Sequence, residues 1–152
     1  MRARWALIQC CIQTQVREVD LKNKPKELFD ASSKGTVPVL ITDENIVLEE
    51  SLDIIKWSLN KCKGKVGLPS KMKFITNEME TLIFTNDNQF KFHLDRYKYP
   101  NRYKNINVVE HKIALDRILS EWSLRIKDSS HTSSNGWLVG GSESIADWSI
   151  WP

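Results

Sequence analysis

The sequence predicts a small α/β domain followed by an all-helical one. Three observations carry this expectation. Up to about Cys62 the hydrophobic period alternates between that of helices and that of strands. Residues 63–70, KGKVGLPS, then form a Gly/Pro/Lys stretch with the composition of a linker. Beyond it the strand signal disappears, and only helical spacing persists over residues 71–152. No internal repeat is visible.

The first predicted element is a helix over residues 2–12, with Trp5, Ile8 and Ile12 on one face beside Leu7 and Cys11. Its arginines followed by apolar residues superficially resemble a secretory signal. The run is short, however, Gln9 interrupts it, and no small-residue cleavage site follows. A strand is expected at 15–20 and a helix at 25–32. The next stretch, GTVPVLITDENIVLEES (35–51), sets a puzzle. Val37, Val39, Leu40 and Ile41 favour a pleated strand over 37–42, yet Pro38 has no N–H to give to a ladder. Asp43-Glu44-Asn45 reads as a hairpin turn and Ile46-Val47-Leu48 as the return strand. From Ser51 the period becomes helical, with Leu52, Ile55 and Leu59 recurring, so Ser51 is the candidate N-cap of a helix over 51–62. Asp53 in its first turn suits the positive end of the helix dipole.

After the linker, helices are expected at 71–94 and 106–127, the second with Leu115, Leu119, Trp122 and Ile126 on one face. A polar loop, DSSHTSSNG (128–136), leads to a short last helix opened by a capping box at Ser144 and Asp147. Glu143 stands where a hydrophobic staple residue is usual, so this helix entry is expected to be less firmly fixed.

Bulk properties narrow the function. Apolar residues make up 41% of the 152 and charged residues 27%, which is the composition of a globular chain. A net charge of +3 is too small to imply a nucleic-acid partner. No stretch is long enough to span a membrane. The three cysteines, Cys10, Cys11 and Cys62, contain no C-x-x-C pair, against both a disulfide framework and a zinc site. No metal is therefore expected, and a reducing cytoplasm is the expected setting. His93 and His111 are far from metal-ligand spacing with any cysteine. The segment FKFHLDRYKYPNRYK interleaves five aromatics with five basic residues besides its histidine, a pattern that suits base stacking and phosphate contact, or equally aromatic packing beneath solvated cations.

LKNKP (21–25), GTVPVL (35–40) and EES (49–51), in this order, resemble the N-terminal thioredoxin-like domain of glutathione S-transferases, especially omega-like ones. SIADWSIWP (144–152) resembles the capping segment and core helix of their helical domain, and residues 90–103 resemble a segment of a bacterial branch. The resemblance implies a thioredoxin-like α/β domain over 1–62 and an all-α domain over 71–152. It also implies a cis bond before Pro38, which turns the Val37 N–H and C=O towards a groove. There they pair with the cysteinyl backbone of glutathione as an added strand does. Ser51, with the free amides of its helix, would take the γ-glutamyl carboxylate. Glu50 would take the γ-glutamyl ammonium, and Lys24 the glycyl carboxylate. Each has a plainer reading: a trans edge-strand proline, an ordinary cap, an exposed acid and a solvated lysine.

The family nucleophile stands just before the first helix, and alignment on Arg2-x-Arg4 puts it upstream of Met1. No catalytic residue is therefore assigned here, and the three cysteines read as core or surface residues. Both ends are expected to be incomplete, the first strand being absent and the last helix short, so the chain as given is expected to be inactive. The resemblance implies glutathione as co-substrate, an electrophile or disulfide as second substrate, and a homodimer. The alternative is a non-catalytic interaction module on the same fold.

Overall fold

The structure, a computed structural model, describes residues 1–62, 72, 74–131 and 136–151. The expected linker at 63–70 lies outside the described residues, as do 132–135 of the polar loop. The chain divides between Gly67 and Leu68 into two units.

In the first unit, helix α1 spans Arg2–Gln9 and stops earlier than the spacing predicts. Cys11 adopts a left-handed φ of 50°. Its N–H donates to the Ile8 carbonyl at 2.9 Å, and the Ile12 N–H reaches the Leu7 carbonyl at 2.9 Å. This is the Schellman ending, and Ile12 packs beside Leu7 to complete it. Glycine ordinarily takes that position, so a cysteine there leaves no stop signal in the sequence. The buried face is also not the expected one. Ala3, Ala6, Leu7 and Cys10 are buried, while Trp5 and Ile8 face solvent.

Residues 13–20 form no strand. A strand needs a neighbour to satisfy its backbone groups, and among the described residues nothing pairs with this segment, which is almost wholly exposed. Helix α2 covers Lys26–Ala31, entered through Pro25. Gly35 turns the chain at φ 55°, where a side chain would run into the Phe29 ring. The Val37–Pro38 bond is cis. Strands β1 (Leu40–Ile41) and β2 (Val47–Leu48) pair antiparallel across the turn that ends at Asn45, whose φ is 59°. Helix α3 follows over Ser51–Lys61. Ala3 and Leu7 of α1 pack against Ile54 of α3, with Leu40 and Leu48 from the strands and Trp57 around them.

The second unit opens with α4, Asn77–Phe84, capped by the Thr76 hydroxyl. The helix runs on through a π-helical segment at Thr85–Phe90 into α5, Lys91–Lys98. It thus begins later and ends later than the expected 71–94. The widened segment tucks Asn86 inward, and Phe90 meets the ring of Trp122 at 5.2 Å. Helix α6 spans Val108–Ser130, capped by Asn107. Leu115, Ile118 and Trp122 are buried on it, whereas Leu119 and Ile126 are 47% and 38% exposed. The expected face is therefore rotated towards Ile118. Helix α7, Ile145–Ile150, carries the capping box. Asp147 accepts from the Ser144 N–H and hydroxyl and also from the Leu138 N–H at 2.9 Å. Glu143 does fix the helix entry: it accepts the Trp148 indole N–H at 2.7 Å, joining the two positions that a hydrophobic staple joins.

Candidate functional site

The hairpin sets the geometry of the candidate site. Leu40 pairs with Leu48 and Ile41 with Val47. Val37 and Pro38 lead into the hairpin, and Glu50 and Ser51 leave it, at the same end of the ladder. The turn at Val37–Pro38 and the start of α3 are therefore led to one edge of the hairpin. Val37 is 46% exposed, and among the described residues nothing bonds to its N–H or C=O.

Glu50, not Ser51, is the N-cap of α3, and its side chain does not fold back onto the helix. Ser51 is the first helical residue. Its hydroxyl accepts a hydrogen bond from Arg2 Nε at 2.8 Å, so it is turned to Arg2 instead of capping. The α3 amides at this end carry no side-chain cap, and Asp53 is the acid of the first turn. At the other end of the two helices the Cys62 thiol donates to the Cys10 carbonyl at 3.4 Å. With their starts joined and their ends joined, α1 and α3 run parallel, and their positive dipole ends lie together at Ser51.

The acids at the end of β2 are engaged. Lys34 Nζ lies 3.0 Å from Glu50 and 3.4 Å from Glu49. The hydrogen bond to Glu50, then the charges of both acids, raises the Lys34 pKa. Glu49 also accepts from the Ser32 hydroxyl, which holds its carboxyl below the usual range against the opposing effect of desolvation. Lys24 is exposed in the turn before α2, and no described contact ties it to the other four residues.

Sequence reasoning missed Arg2 and Lys34 as neighbours of the site. The one available signal for Arg2 was charge: α1 begins on a cation, against its own dipole, with no acid in its first turn. Lys34 gave none, because its partners lie across the hairpin.

Two further clusters lie in the second unit. His93 and His111, 18 residues apart, bring their Nδ1 atoms to 2.8 Å. Among the described residues no group of three or more potential ligands forms. In the segment at 90–103, Arg96 stacks over Phe92 at 3.5 Å and over Tyr103 at 4.5 Å, and Arg102 over Tyr99 at 4.1 Å. These aromatics and cations thus face each other. Tyr103 donates to Asp95, which raises the phenol's pKa. Among the described residues no helix is long and apolar enough to cross a membrane.

A hairpin flanked by helices, followed by a helical unit with a capping box, fits a thioredoxin-like domain followed by an all-helical one. This is the glutathione S-transferase fold, and residues 1–60 match the family described as glutathione S-transferase, N-terminal domain. Two solved structures share the fold. A glutathione S-transferase from Xanthobacter autotrophicus Py2 aligns at 16% identity with a TM-score of 0.70, over 99% of this chain and 73% of its own. Poplar glutathione transferase F1, in a serine-to-cysteine variant, aligns at 21% identity with a TM-score of 0.71, over 97% and 71%. Among curated proteins none matches.

Proposed function

We propose that this chain binds glutathione as the co-substrate of thiol transfer or conjugation, with residues 1–62 as the glutathione domain and residues 71–152 as the helical domain. The observation that carries this reading is that Val37 and Pro38 enter the hairpin at the end where Glu50 and Ser51 leave it, at a helix start without a side-chain cap. The match of residues 1–60 to a glutathione S-transferase domain supports it independently.

Each group has a part. The Val37 N–H donates to the cysteinyl carbonyl of glutathione, and the Val37 C=O accepts its amide, beside Pro38. The Ser51 hydroxyl and the first α3 amides donate to the γ-glutamyl carboxylate. Glu50 accepts from the γ-glutamyl ammonium, in competition with Lys34. Lys24 meets the glycyl carboxylate. The reaction is thiolate chemistry on an electrophile or a disulfide, in a cytoplasmic homodimer. A cysteine nucleophile belongs at the positive end of α1. Cys10 and Cys11 stand at the opposite end of that helix, and Cys10 and Cys62 are buried, so none of the three takes that role.

Calorimetric titration with glutathione tests the proposal. Saturable binding is expected, weakened by Ser51→Ala and by Glu50→Gln about tenfold to a hundredfold each, the size of one charge-assisted hydrogen bond. An absence of binding, or binding that both variants leave intact, overturns it.

A further inference from the structure

We infer that His93 and His111 form a two-imidazole site for a divalent transition-metal ion of square-planar or octahedral preference, the class of nickel(II) and copper(II). His93 stands on α5 and His111 on α6, and their Nδ1 atoms lie 2.8 Å apart. They are 18 residues apart in the chain, so no ligand spacing in the sequence showed the pair. In the metal-free chain one ring donates its N–H to the other. When that proton moves to Nε2 of its own ring, both Nδ1 lone pairs are open to an ion and no net proton is lost. Neutral imidazole is the form that ligates metal.

The separation selects the ion. With metal–nitrogen bonds of about 2.0–2.1 Å, nitrogens 2.8 Å apart subtend about 85° at the ion. That is the angle between neighbouring positions of a square-planar or octahedral site. A tetrahedral ion would need the two nitrogens about 3.3 Å apart. Nickel(II) and copper(II) therefore suit the pair better than zinc(II). Phe92 packs against both rings, 5.2 Å from His93 and 5.9 Å from His111, and so restricts their orientation. Both histidines are half-buried, which leaves water access to the remaining coordination positions. Among the described residues no third potential ligand joins them, and Arg96 brings a positive charge to the Phe92 ring at 3.5 Å. Binding in the micromolar range is therefore expected, not tighter. An ion held there ties α5 to α6.

The test is calorimetric titration of the full chain with nickel(II), near pH 7.5 where both rings are neutral. A Cys11→Ser background removes the exposed thiol as a competing ligand. One saturable site is expected, with a higher melting temperature on loading. His93→Gln and His111→Gln are each expected to weaken binding about tenfold or more. The double variant is expected to add less than about threefold, because a single imidazole no longer chelates. Zinc(II) is expected to bind more weakly than nickel(II). Substoichiometric nickel(II) is expected to broaden the ring proton signals of His93 and His111 before those of His131, the third histidine of the chain. Circular dichroism checks that the metal-free variants are folded; where one is not, the order of broadening in the unaltered histidine set decides. An absence of saturable binding overturns the inference, as does binding that either variant leaves intact. Equal broadening of all three histidines overturns it too, since that marks adventitious surface binding. Zinc(II) binding tighter than nickel(II) overturns the right-angle geometry on which the choice of ion rests.

Discussion

The ammonium of Lys34 lies 3.0 Å from the carboxylate of Glu50, the group assigned to the γ-glutamyl ammonium. Two cations would then share one carboxylate, and their like charges oppose each other. The pair is exposed, so holding it contributes little to folding, but it competes directly with the ligand.

Removing the competitor should therefore help binding. Lys34→Met is expected to tighten glutathione about twofold to fivefold with little change in thermal stability. Calorimetry alongside a melting curve checks this, and weaker binding would mean that Lys34 itself contacts the ligand.

The tie between Glu143 and Trp148 gives a second prediction. Trp148 is only 2% exposed, so its indole N–H depends on Glu143. Glu143→Ala should destabilise the chain by about 1–3 kcal/mol, the cost of a buried donor left unpaired. Glu143→Gln keeps an acceptor and should lie near wild type. Urea unfolding followed by tryptophan fluorescence distinguishes them.

Cys11 holds a left-handed conformation that glycine adopts freely. Cys11→Gly is expected to raise stability by about 0.5–1 kcal/mol, read as a higher melting temperature.

The histidine pair predicts a pH dependence. With Nδ1 atoms 2.8 Å apart, one ring donates and the other must be neutral to accept. Burial foremost, then the charges of His111 and Arg96, lowers the His93 pKa from its ordinary 6.5. The unfolded chain thus takes up the proton first. Stability from this pair is full above about pH 6.5 and is lost as pH falls through the lower folded value. Denaturant midpoints at pH 5.0 and 7.5 should differ more in wild type than in His93→Phe.

Sequence alone revealed what depends on local chemistry. The hairpin turn at 43–45, the capping box at Ser144 and Asp147, and the run from Val37 to Ser51 all carry their signals in adjacent residues. Features set by partners distant in sequence were not legible. The strand expected at 15–20 has a strand's composition, but a ladder is a property of two segments. Helix α1 ends on a cysteine in a glycine's conformation. The engagement of Ser51 by Arg2 joins residues 49 apart. Lys24, Val37, Pro38, Glu50 and Ser51 could be proposed from order alone, but the two cations beside Ser51 and Glu50 required coordinates.

The most direct measurement is an amide chemical-shift map of the isotopically labelled chain during glutathione titration. The account predicts saturable shifts, largest at the amides of Val37, Ser51 and Leu52, with a smaller response at Lys24. Shifts confined to residues 72–151, or no saturable shift at all, would contradict it.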